Sequence, residues 1–196
     1  MSSSRPRCGR VIVISGPSGA GKTSICNRLL ERLPGSVWSV SATTRPPRGR
    51  ETHGGEYEFL PPEEFERRVA AGDFLETAEY VGHRYGTPVR PVMEAIEEGR
   101  HVIMEIEVQG GVQVARRRPD SIRVFVLPPD MESLKARLAG RRTESADIMK
   151  RRLEKADGEI GFARDSGAYQ YFVINDVLED TVDEIMGIVQ KEIEGE

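Results

Sequence analysis

The sequence predicts an α/β fold with a central parallel sheet, and three observations predict it. Apolar, β-rich runs recur at residues 11–15, 37–41, 102–107, 122–127 and 171–174, with helical patterns between most of them. That alternation is what consecutive strand–helix–strand crossovers leave in a chain. The first run leads directly into a glycine-rich octapeptide, Gly16 to Thr23, and then into a helical pattern through Ile25, Leu29, Leu30 and Leu33. Finally, 196 residues with 38% hydrophobic and 31% charged content suit one soluble domain with insertions.

The octapeptide reads Gly-Pro-Ser-Gly-Ala-Gly-Lys-Thr, a complete G-x-x-x-x-G-K-[ST] phosphate loop in the strand–loop–helix setting that gives the motif meaning. Glycines let the backbone curl so that its N–H groups converge on anionic oxygens, and the helix N-terminus adds its dipole. Lys22 supplies a cation for the β- and γ-phosphates, and the Thr23 hydroxyl can ligate Mg²⁺ directly. The expected ATP-binding set is Gly16, Pro17, Ser18, Gly19, Ala20, Gly21, Lys22, Thr23 and Ser24.

Net charge is −4, so bulk electrostatics give no reason to expect nucleic acid as partner. Positive charge is clustered instead, at Arg45, Arg48 and Arg50, at Arg116 to Arg118, at Arg141 and Arg142, and at Lys150 to Arg152. In a chain that holds a triphosphate, phosphate binding competes with a solvated surface as the reading of such clusters. Cys8 and Cys26 form neither a metal pattern nor a disulfide framework, and Cys26 is expected to pack. The polar, basic residues 1–10 read as a disordered tail rather than a signal peptide, and no stretch approaches a membrane span, so the expected address is cytoplasmic.

Two stretches break the alternation. Residues 42–90 carry the pairs Pro46 and Pro47, Gly54 and Gly55, Pro61 and Pro62, with short β-like runs at 56–60 and 74–77. They read as an inserted subdomain with a small sheet. Residues 131–157 are helical, highly charged and poor in large apolar residues, which reads as a mobile lid. The core is then 11–41, 91–130 and 158–196. Val182, Ile185, Val189 and Ile193 mark a terminal amphipathic helix, with Asp180 as its expected N-cap.

Beyond the loop, the segment Ser41, Ala42, Thr43, Thr44, Arg45, Pro46, Pro47, Arg48 is followed by Gly54, Gly55, Glu56 and Tyr57. Further on come Phe74, Leu75 and Glu76; Tyr85, Gly86 and Thr87; Glu105, Ile106 and Glu107; and Val173, Ile174, Asn175 and Asp176. Together, and in this order, these resemble the guanylate kinase family. The resemblance implies a P-loop NTPase core with a nucleoside-monophosphate-binding insertion and a helical lid. It implies Mg²⁺-dependent transfer of the ATP γ-phosphoryl group to GMP, a step of purine nucleotide metabolism and GMP recycling. It further implies dGMP as a second acceptor and neither nucleic acid nor membrane as partner.

The resemblance assigns the GMP phosphate to Arg45, Arg48, Tyr57 and Tyr85, and the guanine to Glu76 with Ser41 and Thr87. The chemistry agrees: a dianion needs fixed positive charge, and arginine's planar fork suits phosphate oxygens. Guanine presents an N1–H and a 2-amino group side by side, which one ionised carboxylate accepts and adenine leaves unpaired. Glu105 and Glu107 end an apolar strand near the loop and reach the metal through water. Glu107 faces either guanine or a metal-bound water; the matching pair in the family is often aspartate, so both side chains here are one methylene longer. Arg141 and Arg152 match arginines that meet the transferring phosphoryl group, making the catalytic set Lys22, Arg48, Arg141 and Arg152. Arg137 joins the ATP set. Asn175 matches a position near adenine and equally fits a turn former at a strand end. A kinase for a phosphorylated sugar would have no use for the purine-reading residues. A non-catalytic phosphopeptide-binding module would not need an intact loop. A regulatory GTPase would carry an N-K-x-D motif, which is absent.

Overall fold

A computed structural model describes residues 9–55, 57–139 and 145–195. Its centre is the strand β1 (Val11–Ser15), in which every residue is buried. A run of Val and Ile buried on both faces is the mark of an interior parallel strand. β1 lies between β7 (His101–Glu105) and β8 (Ile122–Leu127). β2 (Ser36–Trp38) pairs with the outer side of β7, and β9 (Tyr171–Ile174) with the outer side of β8. All four pairings are parallel, with Val11 opposite Val102, Ile12 opposite Ile122, and Val124 opposite Tyr171.

Helices cover both faces because alternate residues of β1 point in opposite directions. Ile12 and Ile14 pack with Ile25 and Leu29 of α1 (Lys22–Arg32) and with Val182, Ile185 and Val189 of α7 (Leu178–Glu194). Val11 and Val13 pack on the other face against Val92 and Ile96 of α3 (Val89–Glu97) and Val114 of α4 (Val108–Arg117). Cys26 is completely buried in the first of these clusters, and burial pushes its thiol pKa up. Asp180 does not cap α7; the cap position is Val177 and Asp180 lies inside the first turn. There an acidic side chain complements the helix dipole without accepting a capping bond, which the sequence pattern alone does not distinguish.

The apolar run at 37–41 is divided between two sheets rather than forming one strand. β2 ends at Trp38, and β3 (Ser41–Thr43) belongs to a second, four-stranded sheet with order β4-β3-β6-β5. Its other strands are β4 (Tyr57–Phe59), parallel to β3, and the antiparallel pair β5 (Phe74–Tyr80) and β6 (His83–Pro88). α2 (Pro62–Ala71) closes this sheet by stacking Phe65 on Phe74, ring centroids 4.7 Å apart, next to Ala42, Leu60 and Val69.

The β5–β6 hairpin turns at Val81 and Gly82, whose φ angles are 51° and 72°. Two successive positive φ angles are what the I′ form of a two-residue hairpin turn needs, and a β-branched residue is the wrong occupant for the first. Val81 is also 74% exposed, so its side chain gains little from packing. Val81→Asn is expected to stabilise the protein by about 1 kcal/mol, read as a higher urea midpoint at unchanged slope. A lower midpoint would refute it.

α5 (Met131–Ala139) and α6 (Ala146–Asp165) pack on each other and contact the phosphate loop. They bury more than the charged sequence suggests: Leu134, Leu138 and Ala156 are closed off, with Met131, Met149 and Leu153 packed around them. α6 starts at Ser145, whose hydroxyl accepts a bond from the Ile148 N–H, and runs without a break to Asp165. Its far end sets Ala163 against Phe125, Val108 and Tyr169 in the core.

Candidate active site

The phosphate loop sits at the carboxyl end of β1, where neighbouring strands lead away on both sides, the usual position of a ligand crevice in open α/β sheets. Two glycines are dictated by close approach. A Cβ on Gly16 would come within 2.4 Å of the Val126 carbonyl oxygen. One on Gly19, at φ +90°, would meet Leu138 and Leu134 of α5 at 2.8 and 3.0 Å. The helix pair is therefore seated on the loop itself. Lys22, the first residue of α1, donates from Nζ to the carbonyls of Gly16 (2.8 Å) and Pro17 (3.0 Å). Burial lowers its pKa, against the opposing pull of Glu105 and Glu159.

Thr23 Oγ1 donates to Glu105 Oε1 at 3.0 Å, so the hydroxyl and the strand-end carboxylate form one oxygen cluster. Glu107 is the N-cap residue of α4, and its carboxylate is 3.9 Å from Lys155 Nζ of α6. Lys155 also pairs with Glu159 at 3.4 Å. Among the described residues no group of three or more His, Cys, Asp or Glu side chains converges as a metal cage. A hydroxyl beside one carboxylate is nevertheless a fitting donor set for Mg²⁺, a hard ion that usually keeps waters and arrives on phosphates.

From α6, Arg152 donates to Ser18 Oγ of the loop at 3.0 Å. Arg137 of α5 donates to the Asp176 carbonyl at 3.3 Å, and both residues line a small cleft of about 330 Å³. Asn175 lines it too, but its amide is spent on structure: Nδ2 donates to the Ala20 carbonyl at 2.7 Å and Oδ1 accepts from Thr181 at 3.2 Å. It pins the loop backbone rather than marking a turn. Arg141 and Arg142 lie outside the described residues.

Across a cleft of about 1290 Å³ from the loop stands the second sheet, presenting Ser41 and Tyr57. Behind them, Glu76 is 5% exposed and accepts a bond from Thr87 Oγ1 at 2.8 Å. The two residues face each other in the β5–β6 register. Arg45, also 5% exposed, lies over the Tyr57 ring at 5.1 Å, and the rings of Tyr57 and Tyr85 meet edge to face at 6.1 Å. Arg48 is exposed on the loop that follows.

The family model described as guanylate kinase matches residues 8–192. The chain is 47% identical over 189 residues to a guanylate kinase of Rubrobacter xylanophilus, covering 96% of this chain and 97% of that one. To a guanylate kinase of Myxococcus xanthus it is 42% identical, covering 94% of this chain and 87% of that one. The chain belongs to the guanylate kinase family. Its structure agrees, superposing on the crystal structure of guanylate kinase from Anaplasma phagocytophilum with a TM-score of 0.73 at 31% identity, over 95% of this chain and 87% of that one. It is a nucleoside monophosphate kinase, a phosphotransferase on a P-loop NTPase fold.

One residue of this kinase's site carried no signal in the sequence. Glu51 accepts from both terminal nitrogens of Arg45, at 2.8 and 2.9 Å, and from the Arg48 main-chain N–H at 2.7 Å. Arg45 and these bonds hold the Glu51 carboxyl below its ordinary pKa, and the same pairing raises that of Arg45. With a further bond to the Pro46 carbonyl, the Arg45 fork is largely committed within its own loop. Glu51 lies six residues on in a Pro- and Gly-rich segment, where no periodicity announces a pair. Glu51→Ala removes the only carboxylate bonded to the Arg45 fork among the described residues, leaving it the Pro46 carbonyl, and is expected to lower the stability of the kinase. Urea denaturation would measure this, and a loss under about 0.5 kcal/mol, the range of an inert surface site, would refute it.

Proposed function

We infer that this kinase transfers the γ-phosphoryl group of ATP to GMP, giving ADP and GDP. The observation that carries the reading is a single cleft with a phosphate loop on one wall and, behind the other, a buried carboxylate and a buried arginine. ATP is assigned to Gly16 through Ser24, with Arg137 and Asn175 at the small cleft beside the loop. GMP is assigned to the second sheet: guanine to Glu76, Thr87 and Ser41, and phosphate to Arg48, Arg45, Tyr57 and Tyr85. dGMP is assigned as a second acceptor at the same site.

The GMP phosphate has a second pKa near ~6 and is mostly dianionic at neutral pH, so no general base is assigned. One of its oxygens attacks the γ-phosphorus in line; the bond from phosphorus to the bridging oxygen breaks, and its electron pair leaves on ADP. Catalysis is positioning and cancellation of charge. Lys22 holds the donor phosphates, Arg152 and Arg141 meet the equatorial oxygens, and Arg48 keeps the acceptor in line. Thr23 would hold Mg²⁺, with Glu105 and Glu107 supporting its shell, and the ion would supply positive charge against the donor phosphates. Residues 42–90 act as the GMP-binding subdomain and 131–157 as a lid that excludes water. A cytoplasmic address belongs to the same reading, and no helix among the described residues is long and apolar enough to cross a membrane.

The test is release of ADP from Mg·ATP with GMP, AMP, CMP, UMP or no acceptor. Turnover confined to GMP supports the assignment. Comparable rates with several acceptors would remove the base-reading residues from it, and no turnover with any acceptor would overturn it.

A further inference from the structure

The strand that carries Glu76 is an edge strand. In the order β4-β3-β6-β5, β5 pairs only with β6, so half of its main-chain groups point away from the sheet. An open edge leaves donors and acceptors to be satisfied by something else. At Thr77, directly after Glu76, that partner is one side chain of the core. Gln113 of α4 accepts the Thr77 N–H on Oε1 at 3.0 Å and donates from Nε2 to the Thr77 carbonyl at 2.8 Å. A primary amide offers a donor and an acceptor side by side, as a strand residue does. Gln113 therefore stands in for one residue of a missing neighbour strand.

Two further residues of α4 continue the contact at helical spacing. Gly110, three residues earlier, is so close beneath Glu76 that a Cβ there would lie 2.9 Å from Oε2. Arg117, four residues later, donates to the Phe74 and Gly72 carbonyls. Residues at i, i+3 and i+7 share one helix face, so α4 presents a stripe of glycine, amide and guanidinium to the β5 edge. The stripe belongs to the core, whereas Glu76 belongs to the second sheet. It fixes the carboxylate relative to Glu107, the N-cap residue of the same helix.

We propose that Gln113 is a positioning residue for purine selection: by clamping the Thr77 main chain it holds the Glu76 carboxylate square to the two adjacent donors of guanine. The inference rests on the assignment of Glu76 to guanine. Two parallel bonds from N1–H and the 2-amino group demand a fixed carboxylate plane, whereas one bond tolerates rotation. Loss of the clamp should hence cost GMP more than IMP, which lacks the 2-amino group.

The test compares kcat/KM for GMP and for IMP in Gln113→Met, which keeps the stem and removes both bonds, and in Glu76→Gln. The expected result is a GMP-to-IMP ratio about tenfold lower in Gln113→Met, of the size two displaced hydrogen bonds give, with KM for ATP within twofold of the parent. A folded Gln113→Met with the parental ratio overturns the proposal. If that variant does not fold, Gln113→Glu, which keeps the acceptor for the Thr77 N–H, decides by the same ratio. Glu76→Gln separates the two failures. A ratio that collapses there but survives in the Gln113 variants refutes the positioning role alone, and a ratio that survives in Glu76→Gln refutes the guanine assignment and the role with it.

Discussion

Glu76→Gln is expected to lower kcat/KM for GMP by about 10³-fold or more while KM for ATP stays within twofold. Glutamine is isosteric but turns one of two acceptors into a donor, which opposes a donor on guanine. The same carboxyl makes the protein's pH behaviour diagnostic. Burial raises its pKa from 4.5 to about 7, with the Thr87 bonds pulling the other way and Glu107 adding a little to the rise. A raised carboxyl pKa means that the folded protein holds a proton the unfolded chain has released between pH 4.5 and 7. The stability contribution is thus complete below pH 4.5 and lost as pH rises through 7, a swing of about 3 kcal/mol for the nucleotide-free protein.

GMP binding slopes in the opposite sense, because guanine's donors select the ionised form. Below pH 7, KM for GMP should climb about tenfold per unit on this account alone. The GMP phosphate adds its own titration near ~6, and that part survives in Glu76→Gln, so the difference between parent and variant isolates the carboxyl. Identical pH profiles for the two proteins would refute the assignment.

The second large effect is expected at Arg152. Its guanidinium, on α6, already bonds Ser18 of the phosphate loop at 3.0 Å, within reach of a phosphoryl group held there. Arg152→Lys keeps the charge and loses the planar fork, which matches the equatorial oxygens in a way a point charge does not. The expected outcome is a kcat reduced about 10³-fold with both KM values changed by less than about threefold, the signature of an interaction made chiefly in the transition state. Thermal unfolding should shift little, since the group is only half-buried. A lysine variant with parental kcat would place Arg152 outside the reaction.

The parts of the site written in contiguous residues were legible. Gly16 to Gly21 join β1 to α1, which opens on Lys22 and Thr23 as the motif requires, and Ser41, Tyr57, Glu76 and Thr87 come together on one small sheet. What the sequence hid lies in long-range pairing. The apolar run at 37–41 gives no hint that the chain changes sheets at Ser39, whose N–H still bonds Ile103 of the first sheet. Gln113 and Thr77 are 36 positions apart, and no local pattern links a helix amide to a strand edge. Nor does a strand-end asparagine disclose that it will bond the Ala20 carbonyl, 155 residues away in sequence. Charge misled in one place: the helices at 131–157 look too polar to pack, yet Leu134 and Leu138 are enough to settle α5 on Gly19.

The unbroken course of α6 has a mechanical consequence. Arg152 and Ala163 ride on one rod, the first against the phosphate loop and the second anchored in the core. At 1.5 Å per residue the arm between them is about 16 Å long, so a tilt of ~20° at the anchored end sweeps the guanidinium through ~5 Å. Gly158 and Gly161 lie near the fulcrum of that arm, with open space around them and the weakest helix propensity short of proline. Between its anchored end and Arg152 the rod is thus softest at these two glycines, the positions where a bend costs least.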